Sequence, residues 1–250
     1  MERSNPVMRQ TEVYPDPAAM AQAAAARFTA AARQAIAARG QFAVALSGGN
    51  TPRRLYELLA AEPFVSEVAW PAVHVFWGDE RAVPPDDPAS NYRLAAETLL
   101  RCVPIPPPQV HRIRAELPPE EAAADYECTL RDFFARTEHG GATFDLVLLG
   151  LGQDGHTASL FPRAAAIRER ERWAVAYRVP DLGAWRITLT PPVLNAARRV
   201  LFLVSGADKA EAVGQVLRGS HRPDELPAQV IEPVGGDVHW LLDAAAAALL

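Results

Sequence analysis

Short, unbroken apolar runs alternate with longer amphipathic stretches along this chain. The runs at Phe42–Leu46, Val73–Trp77, 144–149, 200–204 and 238–242 are strand-like, and 144–149 (FDLVLL) has the continuous hydrophobicity of a strand buried on both faces. Shorter strand candidates lie at 110–113 and 186–190. Helical patterns fill the intervals at Pro17–Arg39, 52–61, 91–101, 119–136, 191–197 and 208–217. The first of these is opened by Asp16 as cap and Pro17 in the first turn, and closed by Gly40. Met20, Ala24, Phe28, Ala31 and Ala35 form its expected buried stripe. This alternation predicts an α/β fold: a mainly parallel, Rossmann-like sheet flanked by helices on both faces. Proline clusters at 84–88 and 104–108 read as surface loops too short to link domains, so one domain over 1–250 is expected.

Composition excludes several function classes. The chain is 250 residues long and 49% hydrophobic, enough for one sizeable core or at most two small domains. No window approaches the roughly 18 consecutive apolar residues of a membrane span, and the polar, acidic start is not a secretory signal. A cytoplasmic protein with no membrane partner is expected. The net charge of −5, from 25 basic and 30 acidic residues, argues against a general nucleic-acid surface. The basic runs Arg53-Arg54, 168–172 and Arg198-Arg199 read as solvated faces, although an anionic ligand can still be drawn to one basic pocket. Cys102 and Cys128 have no CxxC partner and are expected to be buried thiols within helices. No two histidines have the HxxxH spacing of a zinc site. His74, His111, His139, His221 and His239 read as structural or solvated.

Candidate chemistry concentrates in polar turns that follow apolar strands. The most informative is LGLGQDGHTASLFP, from Leu149 to Pro162. Gly150, Gly152 and Gly155 permit backbone geometries closed to other residues, and the turn carries Asp154 and His156. An imidazole there is expected at the carboxyl end of a central strand, where open α/β sheets bind ligands. Residues 158–161 are expected to form a short helix, and the charged stretch 163–172 a mobile flap beside it. After Leu46 comes Ser47-Gly48-Gly49-Asn50-Thr51, leading into a helix at Pro52. It is a phosphate cradle in physical terms, or alternatively a capped turn with Thr51 as N-cap. It is neither a Walker loop nor GxGxxG, so ATP and NAD are not indicated. Gly78-Asp79-Glu80-Arg81, followed by Asn91, follows the Trp77 strand, with Arg81 able to hold an anion bidentately. Two further cations are Arg186, opening RITLT, and Lys209, at a helix start where a lysine is unfavourable without an anion partner.

Taken together these turns resemble the 6-phosphogluconolactonase family. The matching pieces are ALSGGNTPRRLY, WGDERAVPPDDPASNYRLA, LVLLGLGQDGHTASLFP, RITLTPPVLNAARRVLFLVSGADKA and the closing LPAQVIEP with Trp240 and Asp243. They run in family order from about Leu46 to the C-terminus. Glucosamine-6-phosphate deaminases share a GxDGH turn, but theirs continues toward asparagine-glutamate-proline and their acidic turn reads DEY. This chain has TASLFP and DER. The resemblance implies the fold shared with that deaminase and ribose-5-phosphate isomerase, and no metal or organic cofactor. Arg163 departs from the pattern, since family members often carry glycine after FP. So do the stretch 163–173 and the short PDLGAW before Arg186.

The resemblance implies hydrolysis of 6-phospho-D-glucono-1,5-lactone, a small sugar-phosphate substrate. His156 has a reference pKa of about 6.5 and suits the general base, with Asp154 orienting it or the turn. Arg81 and turn N–H groups would meet the oxyanion. Ser47, Gly48, Gly49 and Thr51 would hold the phosphate, with Lys209 and Arg186 adding charge. Asp79 and Asn91 are candidates for sugar hydroxyls or for holding Arg81. A deaminase-type enzyme and a non-catalytic sugar-phosphate sensor are the alternatives, and a sensor needs no His156 or Arg81.

Overall fold

The computed structural model describes residues 8–136, 142–180 and 182–250. In chain order its elements are β1 (Met8–Tyr14), α1 (Pro17–Arg39), β2 (Phe42–Leu46), α2 (Asn50–Leu59), α3 (Phe64–Glu67), β3 (Val73–Trp77) and β4 (Asp79–Arg81). There follow α4 (Asn91–Ala95), α5 (Pro119–Phe134), β5 (Leu146–Leu149), β6 (Ala174–Val179) and β7 (Ala184–Leu189). The last are α6 (Pro191–Leu194), β8 (Arg199–Val204), α7 (Ala210–Arg218) and β9 (Asp237–Asp243).

Six strands form one sheet in the order β1-β9-β8-β5-β2-β3, every neighbouring pair parallel. The helices flank it. Its central strands β2 and β5 are buried at every position, as their unbroken apolar runs require. From β2 the chain moves outward to β3, whereas β5 lies on the other side of β2 and leads toward β8. The connections therefore part between β2 and β5, and the two glycine turns emerge at this switch point. A second sheet, β4-β7-β6, is small and antiparallel.

Capping of α1 follows its sequence. Asp16 Oδ1 accepts from Ala19 N at 2.8 Å, and Gly40, at φ 76°, donates to Ile36 O at 2.8 Å. Met20, Ala24, Phe28, Ala31 and Ala35 are all buried.

Several expectations are corrected. The strands β1, β4 and β6 are not foreshadowed by apolar runs; β1 is an edge strand whose side chains are mostly exposed. Of 110–113, only Val110 pairs, in a bridge to Val75. Residues 158–161 form a turn rather than a helix, because Ala158 takes φ 47° and Leu160 N bonds back to Thr157 O at 2.9 Å. The helix at 91–101 changes to π geometry over Ala96–Leu100. Lys209 ends a short 3-10 turn, Ala207–Lys209, just before α7. Cys102 and Cys128 are exposed, not buried. Cys128 falls outside the stripe of Ala122, Ala123, Tyr126, Leu130 and Phe134 that α5 buries. Arg198 and Arg199 are half-buried, Arg198 lying 3.5 Å from Asp145, instead of forming a solvated face.

The stretch 163–172 packs down onto the protein. Ala166 and Ile167 are buried in its 3-10 turn, Arg163 N donates to Asp224 O at 2.7 Å, and Arg168 pairs with Asp224 at 2.6 Å. His139 lies outside the described residues.

Candidate active site

At the carboxyl ends of β2 and β5 a cleft of about 660 Å³ opens. Two buried tyrosines anchor strand ends beside it. The Tyr56 hydroxyl donates to Ser47 O at 2.6 Å and accepts from Ser47 N at 3.1 Å. Tyr126 does the same for Trp77, at 2.8 and 2.9 Å. Burial pushes both phenols well above their ordinary value, so they remain neutral donors. The strand ends from which two polar turns depart are thereby fixed.

On the β5 side, His156 Nδ1 lies 2.5 Å from Asp154 Oδ1, which also accepts from His156 N at 3.1 Å. Partial burial alone would raise the Asp154 carboxyl, but the hydrogen bond and charge of His156 outweigh it and hold the group below its ordinary range. With Nδ1–H donated to a carboxylate, the lone pair belongs to Nε2, which bonds to none of the described residues. The Phe161 ring stacks on the imidazole at 4.2 Å. Gly152 leaves room for this arrangement: a β-carbon there would sit 2.6 Å from Asp154 Oδ1.

The β3 side is organised by Glu80, whose role no sequence motif signals. It is 2% exposed and accepts from the backbone N–H of Arg81, Asn91 and Tyr92, each at 2.8 Å, and from Ser90 Oγ at 3.0 Å. It thus caps the start of α4 and seats Asn91. Burial raises its carboxyl above the ordinary range despite those donors. Asn91 Nδ2 donates to Asp79 O at 2.9 Å, while its Oδ1 presses on Gly48, where a β-carbon would come within 1.8 Å.

Arg81 and Arg186 stand directly opposite each other on β4 and β7. Neither forms an ion pair with a carboxylate among the described residues. The Arg81 guanidinium donates to Ala89 O, and Arg186 Nη1 to Trp185 O at 3.1 Å. Burial, then the charge of Arg81, holds Arg186 below its ordinary value. Like charges placed opposite are destabilising unless an anion lies between them. Lys209 is 3.5 Å from Asp208, whose other bond, from Gln153 Nε2 at 2.8 Å, ties it to the His156 turn. The turn before it is held by Asp243, which accepts from Ser205 Oγ at 2.6 Å and from Gly206 N at 3.1 Å.

Residues 15–240 match the family described as Glucosamine-6-phosphate isomerases/6-phosphogluconolactonase. The chain belongs to this family. A Synechocystis protein named 6-phosphogluconolactonase is 46% identical over 84% of this chain and 85% of its own. One of the same name from Nostoc is 42% identical over 97% of this chain and 99% of its own. The solved structure of 6-phosphogluconolactonase from Trypanosoma cruzi superposes with a TM-score of 0.84 at 29% identity, covering 100% of this chain and 99% of that one.

Within this family member, Ser47, Gly48, Gly49, Asp79, Arg81, Asn91, Asp154, His156, Arg186 and Lys209 all line the one cleft. Thr51 does not; it sits in the first turn of α2, which starts at Asn50 with Gly49 before it and no side-chain cap. Asp79 does not hold Arg81 but accepts from Ser159 Oγ at 2.6 Å. Ser159, Tyr177 and Thr188, which no motif singled out as a group, converge on that point. Among the described residues no cluster of three or more His, Cys, Asp or Glu side chains is placed to hold a metal. Nor is any helix of these residues long and apolar enough to cross a membrane.

Proposed function

We propose that this protein hydrolyses 6-phospho-D-glucono-1,5-lactone to 6-phosphogluconate, with His156 as general base. The observation that carries this reading is an imidazole oriented by Asp154 in the same cleft as two guanidinium groups without carboxylate partners. His156 Nε2 takes a proton from water as the oxygen attacks the lactone carbonyl. The tetrahedral intermediate collapses with cleavage of the bond to the ring oxygen. The same Nε2 returns its proton to that oxygen, and the new acid ionises. Asp154 keeps the tautomer and steadies the imidazolium in between.

Two cationic ends suit the two charges involved. Arg81, expected at the oxyanion from the sequence, is assigned instead with Arg186 to the phosphate dianion beside the Ser47-Gly48-Gly49 turn, because two like charges placed opposite each other call for an anion between them. Lys209, expected on the phosphate from the sequence, is assigned instead to the developing oxyanion because Asp208 and Gln153 link it to the His156 turn, a role worth about 3–4 kcal/mol for one good donor.

The test is hydrolysis of freshly generated lactone with the spontaneous rate subtracted, beside ammonia release from glucosamine 6-phosphate. Hydrolysis that disappears in His156→Ala is expected, with no ammonia. No acceleration by the wild type, or full activity of the variant, would overturn the reading.

A further inference from the structure

Ser159 is 1% exposed, and each of its three polar atoms is bonded to a different strand of the small sheet. Its Oγ donates to Asp79 Oδ2 on β4 at 2.6 Å. Its N donates to Thr188 Oγ1 on β7 at 3.3 Å. Its carbonyl accepts from the Tyr177 hydroxyl on β6 at 2.5 Å. The same Tyr177 oxygen accepts from Phe161 N at 3.3 Å, and the Phe161 ring covers His156.

Strand register makes this more than a local knot. Arg81 pairs with Arg186, and Arg186 with Tyr177, in one row across the sheet. Asp79 pairs with Thr188 in the row two residues along. Because side chains alternate, Asp79 and Arg81 share a face, as do Thr188 and Arg186. The face that presents the two guanidinium groups is thus the face that grips Ser159. On the other side of Ser159, Ala158 is held at φ 47°, a conformation that an alanine keeps only where its surroundings over-determine it.

We infer that Ser159 and Tyr177 are positioning residues, which set where the His156 ring stands relative to Arg81 and Arg186. The inference rests on the lactonase reading for its kinetic consequence, though not for its structural one. Tyr177→Phe removes the hydroxyl from both Ser159 O and Phe161 N, and Ser159→Ala removes the bond to Asp79. Phe161→Leu leaves the bonds in place and removes only the ring.

The experiment compares these three variants with the wild type in two ways. The first is kcat and KM for the lactone. The second is the proton–carbon NMR spectrum of the imidazoles, with His156 identified by its absence in His156→Gln. The expected result is a kcat at least tenfold lower with KM within about threefold, together with loss of the upfield displacement that the stacked Phe161 ring imposes on His156. A loss of fold stability alone would leave the His156 resonances of the remaining folded protein in place. Unmoved resonances in Tyr177→Phe and Ser159→Ala, with Phe161→Leu marking the full loss of ring shielding, would overturn the inference, whatever happened to kcat. Should Tyr177→Phe fail to fold, Ser159→Ala still decides. If the wild type proves inactive on the lactone, the proposed function fails while the spectra still judge the positioning.

Discussion

A β-carbon at position 152 would stand 2.0 Å from Nδ1 of His156. The imidazole therefore lies where only glycine at that position permits it, bonded to Asp154 on one side and covered by Phe161 on the other. Gly152→Ala should force the ring away from Asp154. A fall in kcat of at least about tenfold, equivalent to some 1.4 kcal/mol, is expected, with affinity for 6-phosphogluconate little changed. Steady-state kinetics beside product titration would show it.

Asp154→Asn keeps the shape of the turn but removes the carboxylate that fixes the Nδ1–H tautomer. General-base catalysis contributes about 10²–10⁴-fold in other enzymes, and loss of its orienting group should forfeit roughly the lower part of that range. Turnover within twofold of the wild type would show that the imidazole needs no orienting partner.

Truncating Arg186 should act on binding. Hydrogen bonds to charged groups contribute about 1.5–3 kcal/mol, so Arg186→Met should raise KM for the lactone roughly tenfold to a hundredfold. The variant also removes the like-charge opposition to Arg81, so its thermal midpoint should not fall. A kcat defect at unchanged KM would instead place Arg186 beside the reacting carbonyl.

Acid should destabilise the fold through a histidine pair remote from the cleft. His74 Nδ1 and His111 Nε2 are 3.2 Å apart, and His111 stacks on Phe76 at 4.3 Å. Burial, helped by the charge of His74, pushes His111 down to about 4. The unfolded chain, with an ordinary histidine near 6.5, then binds more protons than the native state between those values. Stability is therefore full above about pH 6.5 and falls as pH drops toward 4. His111→Phe should flatten this part of the profile, as read from urea midpoints at several pH values.

Arg163 occupies φ 64°, the left-handed region that favours glycine. Arg163→Gly relieves that strain but frees the unfolded chain, and the two effects oppose each other. A gain of up to about 1 kcal/mol is expected, a rise of roughly 2–4 °C in thermal midpoint for a chain of this size. A drop would mean that the arginine side chain contributes more than its backbone costs.

What could be read in advance follows from what each signal depends on. The strands β2, β5 and β8 were legible because burial on both faces leaves an apolar run, and β3 and β9 because only a single half-buried histidine interrupts theirs. The strand β1 was not, since as a mainly exposed edge strand it reads MRQTEVY and draws its register from β9. The cleft was legible through its turns, where glycines and polar residues directly follow apolar strands. The grip on Ser159 was not, because Tyr177 and Asp79 lie 18 and 80 residues away and meet it only through the second sheet. Residues 158–161 looked helical by pattern, yet the left-handed Ala158 ends any helix there. The cysteines depart from expectation for a simpler reason: their type is commonly buried, but the face of α5 that carries Cys128 points outward.

The order of the large sheet carries a consequence for how the chain is made. Strand β9 sits between β8 and β1, although among the described strands it is made last and β1 first. Until residues 237–243 leave the ribosome, β8 presents a free hydrogen-bonding edge and β1 has no neighbour to pair with. The nascent protein therefore holds an open, apolar seam through most of its synthesis, a surface on which other chains can pair. Its closure joins segments more than two hundred residues apart in one late, long-range step, the kind of step that slows folding.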